Sequence, residues 1–338
     1  LKIAVYIAAL GGLGLTTLLI AYQGFSVVYE ALAVAGWGLV WVALFHLIPM
    51  ALDTLAWRVL LPSELNPSLN VLVWIRWIRE AVDGLLPVAQ VGGELVGTRL
   101  LMMNAMPGSI AGASVVVDLT LAVLTQLIFT LMGLGLLLAN IPNSGVVLGV
   151  LVGVGIGTLS FAGFVLVQKR GLFALLVGWL SGLSGGRRWL SLVGGAERLD
   201  KEIKAMYRRQ RTLLLSAGWQ MLAWILGAGE VWLALYFLGH PVTWVEALLL
   251  ESLGQAIRSA AFAIPGSLGV QEGGYMLLGG LLGLNPETGL ALSLAKRVRE
   301  LLLGIPALLH WQFEEGRRLW SGKTQAEEPV DLGANTKS

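Results

Sequence analysis

Two stretches decide how this chain folds: REAVDGLLPVAQVGGELVGTRLL at 79–101 and ESLGQAIRSAAFAIPGSLGVQEGGY at 251–275. Each is apolar apart from a few charges, and each is broken near its middle, by Leu85-Leu86-Pro87 in one and Ile264-Pro265-Gly266 in the other. Proline lacks the amide proton a helix interior needs and clashes with the preceding turn, so each stretch reads as two short segments meeting at a break. Such a pair is either a re-entrant hairpin or two kinked spans. The charges follow the same order in both. Arg79 stands eight residues before Pro87, and Arg258 seven before Pro265. Glu94 and Glu272 each follow their proline by seven, beside Gly92-Gly93 and Gly273-Gly274, and Asp118 and Lys296 lie 24 residues further on. A match in order, spacing and following charge marks an internal repeat, 69–139 and 242–310.

The surroundings are equally apolar. Of 338 residues, 56% are hydrophobic and 13% charged, and the mean hydropathy of +0.76 leaves no charged shell for a soluble domain. Apolar windows fall at 3–22, 36–60, 109–139, 144–167, 211–239 and 287–310. Each is long enough for a core of about 30 Å at about 1.5 Å per residue. The expected fold is therefore all-α and polytopic, with about six full spans plus the two broken pairs. The window at 3–22 reads as the first membrane helix, without a convincing signal-cleavage site. The absence of cysteine excludes disulfides and thiolate sites, three scattered histidines leave little for zinc, and no cofactor motif is present.

The basic residues set an orientation. Ten of the 23 Lys and Arg lie between Gln168 and Arg211 and four after Trp311, whereas the connections 23–35, 140–143, 239–241 and 285–287 carry none. The positive-inside rule places the 168–211 loop and both termini in the cytoplasm. Each broken pair then returns to its starting side, so the two units run antiparallel. The membrane domain is expected over 1–312, with a disordered cytoplasmic tail at 313–338. Within the basic loop, Leu199, Ile203 and Met206 share one helical face, which suits the anionic inner leaflet better than a nucleic acid.

Inverted repeats with interrupted helices are the architecture of many secondary transporters. A charge at mid-membrane costs about 2.5–3.5 kcal/mol, so the charges kept inside these segments need partners or a purpose. Arg79, Arg99, Arg258 and Arg297 would suit a phosphate or a polyol head group. Glu94, Asp118 and Glu272 would suit an amine or a coupling proton, and the residues leave that choice open. Helical spacing also pairs Arg79 with Asp83, Arg76 with Glu80, and Glu300 with Lys296 or Arg297, as ion-pair locks or as parts of a substrate site. Gln126 and Gln255 are placed to line the same cavity, whereas His46 and His310 read as packing or interfacial residues.

On the two opening strings, together with GASVVVDLTLAVLTQ (112–126) and LSLAKRVRELLLGIPALL (292–309), the chain resembles the flippase-like membrane region of lysylphosphatidylglycerol synthases. Within that family it is most similar to HpnL-type proteins associated with bacterial hopanoid biosynthesis. The resemblance implies movement of lipid between leaflets and carries functional weight to Arg79, Pro87, Glu94, Pro265, Gly266, Gly269 and Glu272. Asp83 stands where the family leads one to expect asparagine. In the synthases a separate soluble domain makes the lipid, and only 28 residues follow His310 here, so the chain is expected not to be an enzyme. The expected function is a lipid flippase or lipid-transport component, with a hopanoid or phospholipid head group as ligand. The alternatives are a membrane scaffold for hopanoid-biosynthesis enzymes or, further off, a membrane-embedded transferase.

Overall fold

The computed structural model describes residues 35–65, 67–86, 92–140, 187–260 and 269–326, with Ala33, Gly155 and Ser267 besides. Among them there is no strand, and nine α-helices carry the fold. These are α1 (Gly38–Leu60), α2 (Leu69–Leu85), α3 (Gly92–Met103), α4 (Gly108–Asn140), α5 (Arg187–Arg208), α6 (Gln210–Phe237), α7 (Trp244–Ala260), α8 (Val270–Leu281) and α9 (Pro286–Ala326). Helices α1, α4 and α6 are long and apolar enough to cross a membrane, matching three of the expected windows. Their outward faces carry exposed Leu44, Leu47, Ile48, Ile128, Leu131 and Leu222, as lipid-facing surfaces do. The window at 3–22, and that at 144–167 apart from Gly155, lie outside the described residues.

In the sequence, Pro87 and Pro265 stand between described helices. Helix α2 ends at Leu85 and α3 begins at Gly92, while α7 ends at Ala260 and α8 begins at Val270. Pro87, Pro265 and Gly266 themselves lie outside the described residues. Gly269 opens α8 at φ +77°, a left-handed backbone that glycine adopts without a Cβ clash.

Packing between the two units is reciprocal. The first helix of one unit lies against the last helix of the other: α2 packs on α9, and α7 on α4. Small residues allow the close approaches. A Cβ at Gly133 of α4 would run into Ser252 of α7, and one at Gly289 would come within 2.5 Å of the Tyr275 carbonyl oxygen.

Two apolar cores result. One gathers Trp57, Leu72, Ile75, Ile78, Leu101, Val117, Ile203 and Ala307, and so joins α2 and α3 to one end of α1, α4 and α9. The other gathers Leu39, Leu137, Val231, Leu250, Leu253, Tyr275 and Leu292, joining α7 and α8 to the opposite ends of the same three long helices. Between the cores, each long helix turns polar: His46 and Asp53 on α1, Asp118 and Gln126 on α4, Arg299 and Glu300 on α9.

Two expectations differ from the structure. The apolar face of α5 is not turned to the leaflet, because Ile203 and Met206 are buried in the first core and Leu199 packs against it, with α4 beneath. Burying that face inside the protein removes the same apolar area from water while leaving Lys201, Lys204 and Arg208 outward. The stretch set aside as a tail begins helically, for α9 runs on to Ala326. Glu315 there is paired with Arg99 of α3, and Glu314 with Arg317 one turn on.

Candidate functional site

The polar layer between the cores encloses a cavity of about 320 Å³, built by seven of the nine helices. Helical periodicity explains which residues reach it. Arg76, Arg79, Glu80 and Asp83 follow the i, i+3, i+4, i+7 pattern on α2, and Lys296, Arg299 and Glu300 do so on α9. Helix α7 offers Glu251, Gln255 and Arg258, and α6 offers Trp224 and Glu230.

The charges form two networks, each centred on a buried acid. Asp118 of α4 is 1% exposed and accepts from Arg76 at 3.3 Å and Arg79 at 3.2 Å through one oxygen. Gln220 of α6 donates to its other oxygen at 3.0 Å. Arg79 also pairs with Glu94 at 2.5 Å and lies over the Trp57 ring, 4.6 Å from its centroid, while Arg76 reaches Asp53 at 3.0 Å and Glu80 at 3.2 Å. The second centre is Glu230 of α6, 2% exposed, which meets Arg299 at 3.1 Å, His46 at 2.8 Å and Lys296 at 3.7 Å. Lys296 is held more closely by Glu251 at 2.6 Å, and Arg258 pairs with Glu300. An unpaired charge in this layer would cost several kcal/mol, which is why every basic side chain that lines the cavity has a carboxylate partner. One donor is spare: Arg79 Nη1 is buried without a hydrogen-bond partner.

Of the residues singled out from sequence, Arg79, Asp83, Glu94, Asp118, Arg258 and Glu300 line this cavity together, as do Gln126 and Gln255. Gln126 spans from α4 to α7, donating to the Gln255 carbonyl at 3.3 Å and to Ser259 at 2.5 Å. Asp83 has a second task, accepting the Gly93 amide at 2.8 Å and so capping α3 across the break.

Three others stand apart from the cavity. Arg99 is half-exposed on α3 and faces Glu315, because five residues along a helix turn it about 140° away from Glu94. Glu272 caps α8 by accepting the Gly269 amide at 2.7 Å, and its other oxygen takes Arg297 at 2.7 Å. Arg297 therefore serves α8 rather than the cavity. Glu94 and Glu272 match in sequence yet differ in place: the first lines the cavity and the second anchors a helix start.

Sequence reasoning missed Asp53 and underrated His46. Both line the cavity with Pro49 and Met50, at i, i+3, i+4 and i+7, a spacing that was available to find them. The pairs proposed within α9 are replaced by pairs across the cavity, Lys296 with Glu251 and Arg258 with Glu300. The Arg76–Glu80 pair within α2 forms as its spacing suggests.

A family model described as the lysylphosphatidylglycerol synthase TM region matches residues 4–307. Neither a curated protein nor a solved structure matches the chain. The match corrects the expectation that the chain is not an enzyme. The family is named for a synthase and is enzyme-associated, and the length of chain after His310 does not bear on whether catalysis accompanies this membrane region. With a charged layer held between two apolar cores and nine-tenths of its length matched, the chain belongs to the lysylphosphatidylglycerol synthase TM-region family, membrane domains associated with lipid-related functions.

Proposed function

We propose that this domain moves an amphipathic lipid between the leaflets of the bacterial inner membrane, with both termini cytoplasmic, by exposing the cavity alternately to each side. The observation that carries the reading is the cavity itself: about 320 Å³ of charged lining between two apolar cores, each of which holds one broken helix pair. The polar layer is where the two units meet, and the reciprocal packing of α2 on α9 and α7 on α4 suits inverted repeats that move against each other. The lipid tails would stay in the bilayer while the head group crosses the cavity.

The lining favours a head group rich in hydroxyl or ammonium donors. Asp53, Glu80, Asp83, Glu94, Asp118, Glu230, Glu251 and Glu300 outnumber Arg76, Arg79, Arg258, Lys296 and Arg299, so free acceptor positions exceed free donors. A hopanoid-type lipid bearing a polyol or amine fits this balance, as the HpnL-type resemblance implies.

The test is translocation of head-group-labelled lipid in proteoliposomes. Gly227 lines the cavity and a Cβ there meets nothing within 4 Å, so Gly227→Phe adds a ring at the cavity without a clash at its first atom. Wild-type protein is expected to exceed empty vesicles and Gly227→Phe to fall to their rate. Wild-type protein no faster than empty vesicles overturns the proposal.

A second reading, a non-transporting scaffold for hopanoid-biosynthesis enzymes, draws support from the pairing of every basic side chain lining the cavity, since paired charges can serve as locks. It predicts that reversing Lys201, Lys204 and Arg208 on the outer face of α5 abolishes function in cells while Gly227→Phe does not.

A further inference from the structure

The ring of His46 makes three contacts, two of which exclude each other. Nδ1 lies 2.8 Å from Glu230 Oε2. Nε2 lies 3.2 Å from Glu80 Oε2, which only accepts, and 3.2 Å from Arg299 Nη1, which only donates. With Nδ1–H given to Glu230, a neutral ring presents a lone pair at Nε2, which accepts from Arg299 and faces the Glu80 carboxylate without a proton between them. A second proton reverses both contacts: Nε2–H donates to Glu80, and the Arg299 N–H meets another N–H. One nitrogen cannot satisfy both neighbours at once, so the proton selects which is bound.

The two neighbours belong to opposite units. Glu80 is on α2 and continues through Arg76 to Asp53 and Asp118. Arg299 is on α9 and continues to Glu230, with Lys296 beside it. His46 itself is on α1, between the two cores, so the ion pairs of α2 and those of α9 meet at this ring. It also borders a side pocket of about 30 Å³ between α2 and α9, walled by Glu80, Gly84, Arg299 and Gly304. That space admits a water with polar partners on several sides, and so a path for the proton.

Resting on the flippase reading above, we propose that His46 is a proton-binding site that couples the proton to lipid movement. Neutral, the ring ties α1 and α6 to α9; protonated, it ties them to α2. The proton comes from water in the side pocket and returns there, so no other reactant is needed. Both exchanges bear on the α2–α9 contact between the units, where rocking would have to occur.

Two measurements test it. In proteoliposomes, the wild-type rate is expected to change by about 5- to 150-fold between pH 5 and 8, the usual range of a coupling between sites. His46→Gln and Glu80→Gln are each expected to flatten that profile. Glu80 is partly exposed, so its variant keeps the test alive where His46→Gln fails to fold. Equal wild-type rates at pH 5 and 8, or a wild-type profile in both variants, overturns the proton site while leaving the flippase reading standing. The second measurement does not need transport. His240→Gln/His310→Gln leaves His46 as the sole histidine, and its ¹⁵N ring signals in nanodiscs are expected to show Nε2 passing from acceptor to donor between pH 5 and 8. A ring that holds one state across that range overturns the proposal. If wild-type protein moves no lipid at any pH, the flippase reading fails and the ring signals alone decide the proton site.

Discussion

Replacing Lys296 with methionine tests whether the cavity charges hold the fold by mutual neutralisation. Lys296 and Glu251 are 2.6 Å apart with side chains 3% and 6% exposed. At an effective dielectric constant of about 20, their gross attraction is about 6 kcal/mol, and the 3.7 Å contact with Glu230 adds about 4 kcal/mol. Desolvation of the three groups cancels most of this, so the measurable loss is the cost of stranding Glu251, about 3–5 kcal/mol. Glu251→Gln should cost less, about 1–3 kcal/mol, because Lys296 keeps Glu230 and the amide oxygen still accepts. The double variant Lys296→Met/Glu251→Leu strands neither group and should unfold within about 1 kcal/mol of wild type, or above it. The assay is unfolding by SDS in bicelles followed by tryptophan fluorescence. Lys296→Met within about 0.5 kcal/mol of wild type, or a double variant as costly as the two singles summed, refutes the reasoning.

Further outcomes follow from packing. Gly289→Ala puts a methyl 2.5 Å from the Tyr275 carbonyl oxygen and 2.7 Å from Met276 Cα, both backbone, and is expected to cost about 1–3 kcal/mol. Gly280→Ala, whose Cβ meets nothing within 4 Å, should leave stability unchanged or slightly raised in the same assay. Trp57→Ala removes a fully buried ring that supports Arg79 and donates to Ser114 at 3.3 Å, so a loss of about 3–5 kcal/mol is expected from SDS unfolding. A loss below about 1 kcal/mol would mean that the ring does not brace Arg79.

Much of this architecture is legible in the residue order. Prolines and glycines announce both breaks, and apolar length announces α1, α4 and α6, because local rules govern each. The cavity residues of α2 are legible too, since Arg76, Arg79, Glu80 and Asp83 recur at helical spacing. What sequence does not show is which charge meets which. Lys296 and Glu300 are ideal neighbours on one helix, yet both point into a space where α6 and α7 offer nearer partners, and tertiary distance wins over helical spacing. The place of Glu272 is hidden for a related reason. Its glycines resemble those of Glu94, but Glu272 itself caps the start of α8, whereas Asp83 caps α3 and leaves Glu94 to the cavity. Neither His46 nor Asp53 carries a signal when taken singly. Only the shared face that they form with Pro49 and Met50 reveals them.

The crowding of Lys296, Arg297, Arg299 and Glu300 into five residues of α9 also bears on how the protein is made. At about 2.5–3.5 kcal/mol for each charge near mid-membrane, a segment carrying four of them enters a bilayer poorly by itself. Its partners are synthesised first: Glu230 and Glu251 leave the ribosome on α6 and α7 before Lys296 and Arg299 follow. Order of synthesis thus hands the last helix a prepared berth, and a chain whose α6 or α7 lacked its acid would face its failure at insertion, before any question of folding or transport arose.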